Sequence, residues 1–131
     1  MPIELKILAL GAIALLIHIS AAGYAKTRQF GPDWNMGARD EELPPLNPVA
    51  GRLVRAQANF QETFPIAIVA LAGVVVAGRA SEWTAVGGWI WLVARLVYRP
   101  LYGFGIPRLR TAVFLISVIG LGMAMWPLLF G

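Results

Sequence analysis

The sequence predicts an all-α integral membrane protein, a bundle of four transmembrane helices. Of its 131 residues, 58% are hydrophobic and only 14% are charged, whereas soluble domains have about 25% charged residues. The apolar residues are gathered into four stretches, at positions 7–25, 64–78, 83–94 and 111–131. The length suits one domain, so residues 1–131 are predicted to form a single four-helix unit.

The two middle stretches are too short to cross a bilayer unless polar neighbours join them. A spanning helix needs roughly 20 residues, and the first and last stretches have about that length. The second reaches it only with Asn59 and Glu62 at membrane depth, and the third only with Arg95 and Tyr98. We therefore predict an irregular, proline-rich loop at 26–51 and helices at approximately 4–25, 52–78, 82–102 and 108–130.

The basic residues predict the orientation of these helices. All but Lys6 and Arg79 lie between positions 26 and 55 or between positions 95 and 110. By the positive-inside rule both connections face the cytoplasm, and both termini face away from it, in an inner or cytoplasmic membrane. Topology thus accounts for the net charge of +4, and no nucleic-acid partner is predicted. Glu4 beside Lys6 argues against a cleaved signal peptide.

The chain contains no cysteine. This excludes disulfides, a cysteine nucleophile and a thiolate metal site, and no metal is predicted. Any thiol chemistry would have to use a thiol supplied by a substrate.

A polar stripe enters the second predicted helix. Arg52, Arg55, Asn59 and Glu62 are spaced by three, four and three residues, which places them on one helical face. Polar groups at membrane depth are costly, so such a stripe normally faces a protein interior or a wet cavity. The stripe therefore predicts a polar ligand that binds within the bilayer.

Further polar groups are expected to converge on this stripe. Helix three contributes Arg95, Tyr98 and Tyr102 at spacings of three and four, and helix four begins with Arg108 and Arg110. Guanidinium groups match carboxylates and phosphates in geometry, and tyrosines add hydroxyl donors. We therefore predict an anion-selective pocket at the cytoplasmic face of the membrane, where these helix ends are expected to meet.

Simpler interpretations of these residues stay open. Several arginines could act only as topology anchors or head-group contacts. Arg55 and Glu62 could form a structural ion pair, and Asn59 could only link two helices. His18 stands alone on helix one, and a packed or interfacial role is predicted for it.

In these motifs the chain resembles the MAPEG family, membrane-associated proteins of eicosanoid and glutathione metabolism, and within it a bacterial-type microsomal glutathione transferase. Residues 52–65, RLVRAQANFQETFP, resemble the family's Arg-x-x-Arg-Ala-x-x-Asn-x-x-Glu signature, which an aromatic residue and a proline follow. Ala94-Arg95-x-x-Tyr98-x-x-x-Tyr102 resembles the end of the third helix, and Arg110-Thr-Ala-Val-Phe the start of the fourth. Thr63 and Tyr98 depart from some members, which carry tyrosine and histidine there.

The resemblance implies a homotrimer with glutathione as a bound co-substrate between neighbouring subunits. One subunit would contact glutathione through Arg55, Gln57, Asn59 and Glu62. The next subunit would do so through Arg95, Tyr98 and Tyr102.

The resemblance also assigns roles to other arginines. Arg39 corresponds loosely to a loop arginine that reaches the carboxylates of glutathione. Arg110 matches the arginine that stabilises the thiolate, so it is the catalytic candidate. Arg108 stays an alternative, because the spacing from Tyr102 differs by one residue from that in some relatives.

The implied function is that of a membrane-bound glutathione transferase or peroxidase in detoxification. It would activate the thiol as a thiolate for attack on lipophilic electrophiles or lipid hydroperoxides. One alternative is a non-catalytic member that binds a lipid or a partner. A small multidrug exporter is less favoured, because such proteins generally place an essential carboxylate in the first span, where this chain has only Glu4 at the rim.

Overall fold

A computed structural model describes residues 1–40, 42–103 and 107–130, apart from the side chains of residues 98–103 and 107. The described chain is helical, as predicted. Its elements are α1 (Ile3–Phe30), α2 (Pro32–Met36), α3 (Pro48–Ala67), a π-helical turn (Ile68–Ala72), α4 (Gly73–Val76), α5 (Glu82–Gly103) and α6 (Pro107–Phe130).

Within the described residues, three helices are long and apolar enough to cross a membrane. They are Ile3–Phe30, Pro48–Val76, which joins α3 to α4 through the π-helical turn, and Arg108–Phe130. The prediction of an integral membrane protein is thus supported. Helix α5 is not among the three, and a fourth span stays a prediction.

The helix ends differ from the predicted ones for local reasons. Nothing in Lys26–Phe30 stops a helix, so α1 continues to Gly31, which takes the left-handed φ of 98° that favours glycine. Helix α3 begins at Pro48 because Asn47 caps it: the Ala50 N–H donates to the Asn47 side chain at 2.8 Å. The irregular connection is therefore shorter than the predicted loop.

The second helix is irregular shortly after Pro65. A proline inside a helix cannot donate to the carbonyl of the preceding turn. The π-helical turn begins shortly afterwards, at Ile68. Such turns widen the helix locally, and this one lies between the polar half of α3 and its apolar continuation in α4.

Two interhelical hydrogen bonds show which helix ends meet. At one end of the bundle, the Thr84 hydroxyl of α5 donates to the Glu4 carboxylate of α1 at 2.5 Å, and both residues are buried. At the other end, Arg95 of α5 donates to Asn59 of α3 at 2.8 Å. The start of α3 and the second half of α5, which carry the predicted site, therefore lie at the same end.

Helices α5 and α6 pack closely through glycines. A Cβ added to Gly120 would lie 2.6 Å from the Gly87 carbonyl oxygen and 2.7 Å from the Trp91 backbone nitrogen. The two helices therefore approach closely at Gly87 and Gly120, and Ala124, one turn further along α6, is fully buried. Around this contact, one core joins all the long helices and includes Ile7, Ala14, Phe60, Ala67, Leu71, Trp91 and Leu121.

Candidate functional site

The polar stripe of α3 lies largely on the face that points away from the core. Phe60 marks the core face and is fully buried, whereas Arg55 and Glu62 are exposed on the chain. At about 100° per residue, both positions lie more than roughly 130° around the helix from Phe60. Asn59 lies between these faces and is half-buried. The stripe is therefore divided between the interior and the surface of one chain.

Arg95 is the innermost member of the predicted site. Its side chain is fully buried, and Nη1 donates to the Asn59 carboxamide oxygen at 2.8 Å. The guanidinium carbon also lies 4.9 Å from the centre of the Phe60 ring and 5.9 Å from that of Phe114. Aromatic faces attract a guanidinium at such distances. Asn59, Phe60 and Phe114 thus form a binding position, the seat of Arg95, that stabilises a charge in otherwise apolar surroundings.

The Arg95–Asn59 contact also bears on the interpretation of Asn59. The amide does link two helices, which was the simpler of the two predicted roles. Its partner, however, is a buried cation rather than another neutral group. The linkage therefore joins a buried charge of α5 to the polar stripe of α3, and these residues together form the polar centre of the chain.

Gln57 does not join this centre within one chain. It lies roughly 160° around α3 from Asn59, because two helical steps separate the positions. Its amide donates to Gln61 one turn further along the same helix, at 3.1 Å. Within one chain, Gln57 therefore does not share a helical face with Asn59 and Glu62, and its contact with glutathione stays a prediction.

Arg39 is held within its own connection. Its guanidinium donates to the Asn35 carbonyl oxygen at 3.0 Å, contacts the Asn35 side chain at 3.4 Å and lies 4.7 Å from the centre of the Trp34 ring. Arg39 itself is exposed and has a positive φ of 63°. Arg39 thus contacts residues of its own connection, and the contacts described for it within one chain do not include the polar stripe of α3.

The remaining predicted residues lie where α5 ends and α6 begins. Arg110 is half-buried and Arg108 is exposed, both in the first turn of α6. Positions 98 and 102 belong to α5, but the side chains of Tyr98 and Tyr102 lie outside the described residues. The geometry does not rank the two arginines, and both stay candidates.

The loop-bearing end of α1 contains polar residues that the sequence did not single out. The Gln29 side chain donates to the Pro45 carbonyl at 3.0 Å and accepts from the Asn47 N–H at 2.8 Å. These bonds hold the start of α3 against the end of α1. Between the two helices lies a cavity of about 730 Å³ that Arg28 and Tyr24 help to line. The Asn-Pro capping pair at 47–48 was the available signal for this arrangement.

A second cavity is lined by apolar residues, unlike the first. It is an apolar groove of about 400 Å³ between α5 and α6, lined by Trp89, Ile90, Val93, Ala94, Val97, Val113 and Ile116. Ligand sites are commonly apolar clefts of this size. The antiparallel pairing of Gly87 with Gly120 places Val97 near the level of Arg110. The groove therefore runs from the start of α6 toward the middle of the bundle.

The comparisons with known proteins agree with the sequence motifs. The MAPEG family model matches residues 5–130, which include every predicted site residue. No match was found among curated proteins or among solved structures.

Proposed function

The chain belongs to the MAPEG family, and on that premise we propose that it is a membrane-bound glutathione transferase or peroxidase. In transfer, the glutathione thiolate forms a carbon–sulfur bond with a lipophilic electrophile, and the bond to the leaving group breaks. In the peroxidase reaction, two glutathione molecules reduce a lipid hydroperoxide to an alcohol and water, and form a disulfide.

The observation that carries this proposal is the buried Arg95 bound to Asn59 beside the exposed Arg55 and Glu62. Glutathione is a small peptide with two carboxylates and one ammonium group. Guanidinium groups bind carboxylates through paired hydrogen bonds, and the Glu62 carboxylate could accept from the ammonium group. The charges of the centre thus complement those of the proposed ligand.

The exposed half of the stripe supports a site that two subunits share. Glu62 is exposed on a helix apolar enough to cross a membrane. A carboxylate that faces lipid is costly, so a second copy of the chain is the favoured cover for this face.

Thiolate formation is assigned to the start of α6. Free thiols ionise with a pKa near 8.5, and a helix N-terminus or a neighbouring arginine lowers that value. Arg110 provides both features in the first turn of a long helix. The lipophilic substrate would approach from the membrane, and the α5–α6 groove is the proposed seat for its apolar part.

A glutathione titration of the detergent-solubilised protein, followed by thiolate absorbance in the near ultraviolet, tests the proposal. We expect a saturable signal near neutral pH. Asn59→Ala should weaken glutathione binding about tenfold to a hundredfold, the cost of removing a hydrogen bond to a charged group. Lys6→Ala, an exposed cation at the opposite end of the chain, serves as the control and should bind normally.

Two substitutions separate the roles of the neighbouring arginines. Arg110→Ala should retain glutathione binding but lose the thiolate signal, and Arg108→Ala should keep both. The reverse pattern would move the assignment to Arg108. If the unmodified protein neither forms a thiolate nor binds glutathione in a direct assay, the transferase and peroxidase proposal is refuted.

A non-catalytic, lipid-binding role is the second candidate, and the apolar groove favours it. The groove has no polar lining residue, so an acyl chain alone would fit it. Under this alternative, glutathione would not change the occupancy of the groove by a labelled lipid, and no conjugate would form.

A further inference from the structure

We propose that His18 is a positioning residue: its imidazole holds the Phe60 ring where that ring seats the Arg95 guanidinium against Asn59. The inference rests on the proposed function only in treating Arg95 and Asn59 as glutathione-binding residues. The contacts that carry it are present in one chain without a ligand.

The Asn59 amide and the Phe60 ring form part of the seat of Arg95. Its guanidinium is fully buried, donates to Asn59 at 2.8 Å and lies 4.9 Å from the centre of the Phe60 ring. A ring face stabilises a cation only when the cation lies over that face. The orientation of the Phe60 ring therefore influences where the guanidinium rests, and with it the geometry of the bond to Asn59.

The Phe60 ring contacts aromatic rings from three helices. Its centre lies 5.0 Å from the His18 ring of α1, 5.8 Å from Phe64 of α3 and 6.0 Å from Trp91 of α5. Phe64 belongs to the same helix as Phe60, and Trp91 to the same helix as Arg95. Among the described residues, His18 is thus the aromatic ring that α1 packs against Phe60.

A histidine suits this position because its imidazole is both flat and oriented by a hydrogen bond. The His18 side chain is buried, and its Nδ1 lies 2.8 Å from the Ala14 carbonyl oxygen one turn earlier. A carbonyl can only accept, so Nδ1 carries a proton and donates. This bond orients the ring plane on α1. A leucine would fill similar space but would present neither a flat ring nor an oriented one.

A positioning role and simple core packing make different predictions. If His18 only fills the core, its loss should reduce stability and should affect glutathione binding no more than the loss of another buried α1 residue. If it acts through Phe60 on Arg95, the loss should weaken binding only while Arg95 is present. A double-mutant cycle measures this difference.

The cycle combines His18→Leu with Arg95→Met and measures the glutathione dissociation constant. We expect His18→Leu alone to weaken binding about three- to tenfold, the range for one aromatic contact. It should have little further effect in the Arg95→Met protein. His18→Phe keeps an aromatic ring and should therefore weaken glutathione binding less than His18→Leu. This variant also provides a second test if the leucine variant does not fold.

Ile7→Ala is the matched control. Ile7 is fully buried on α1 and packs near Gly88, away from the Arg95 seat. This variant should lower Tm without changing the glutathione dissociation constant. Equal weakening in Ile7→Ala and His18→Leu, or an equal effect of His18→Leu with and without Arg95, would overturn the proposal.

A ligand-free measurement separates this proposal from the proposed function. In protein labelled with ¹⁵N-arginine, the Arg95 guanidinium signal is assigned by its loss in Arg95→Lys. We expect His18→Leu to shift or broaden that signal, and Ile7→Ala to leave it unchanged. If the unmodified protein does not bind glutathione, the proposed function fails, and the Arg95 signal alone decides the role of His18. An unchanged signal in His18→Leu refutes it.

Discussion

The contact between α5 and α6 allows a prediction whose magnitude follows from the geometry. Gly120→Ala adds a methyl group 2.6 Å from the Gly87 carbonyl oxygen and 2.7 Å from the Trp91 nitrogen. Both neighbours are backbone atoms, so no rotamer change can relieve the clash. The helices must separate instead, and we expect the upper end of the usual cost of overpacking, about 3 kcal/mol.

Gly122→Ala is the matched control for this substitution. Gly122 lies on the same helix, and a Cβ added there meets nothing within 4 Å. Both variants gain the same helix propensity, about 1 kcal/mol, so this gain cancels in the comparison. The two proteins should therefore differ by the overpacking cost alone, which corresponds to a Tm difference of about 10 °C for a chain of this length.

Thermal unfolding in detergent, followed by circular dichroism, measures this difference. The separation should also reach the site, because Arg110 lies ten residues, or about 15 Å, from Gly120 along α6. Gly120→Ala should thus reduce glutathione thiolate formation at temperatures where the protein is folded. Equal Tm values for the two alanine variants would show that α5 and α6 do not meet at these glycines.

Three other substitutions test separate parts of the chain. Thr84→Val removes the donor to the buried Glu4 and should destabilise the protein by about 1–3 kcal/mol, whereas Thr84→Ser should not. Val93→Phe narrows the apolar groove and should reduce kcat/KM about tenfold, but only for long-chain electrophiles. Its control is Leu96→Phe, because Leu96 lies outside the groove on the same exposed side of α5. Arg39→Ala should change the glutathione dissociation constant less than about twofold, and a larger loss would show that Arg39 reaches the ligand.

The helical fold was predictable because the length and the hydrophobicity of a sequence stretch are enough to indicate a membrane helix. The apolar stretches indicated the helices, and the short second stretch correctly required Asn59 and Glu62 to lie within a long helix. The helix ends were less predictable, because single residues decide them. The cap at Asn47 and the left-handed Gly31 moved two of these ends by several residues.

The site was predictable where helical spacing alone determined it. The three- and four-residue spacings grouped the stripe on one side of α3, and the expected convergence of helices two and three agrees with the contact between Arg95 and Asn59. Family resemblance grouped Gln57 with them, but the structure places it on another face of α3. The stack of His18, Phe60 and Arg95 joins three helices. Its members are distant in sequence and no local pattern relates them, so only the tertiary packing shows it.

The division of the α3 stripe has a consequence for how stability and binding are related. Asn59 is engaged inside the chain with Arg95, so this half of the centre forms when one subunit folds. Glu62 lies on the surface of that subunit, where lipid would be an unfavourable neighbour. In the proposed homotrimer, a neighbouring subunit or the proposed ligand would cover this exposed half. Since whatever binds the folded state alone stabilises it, glutathione should stabilise the assembly more than the isolated fold. Under the proposed function, Glu62 would then link assembly to glutathione binding, whereas Asn59 would link glutathione binding to the folding of each chain.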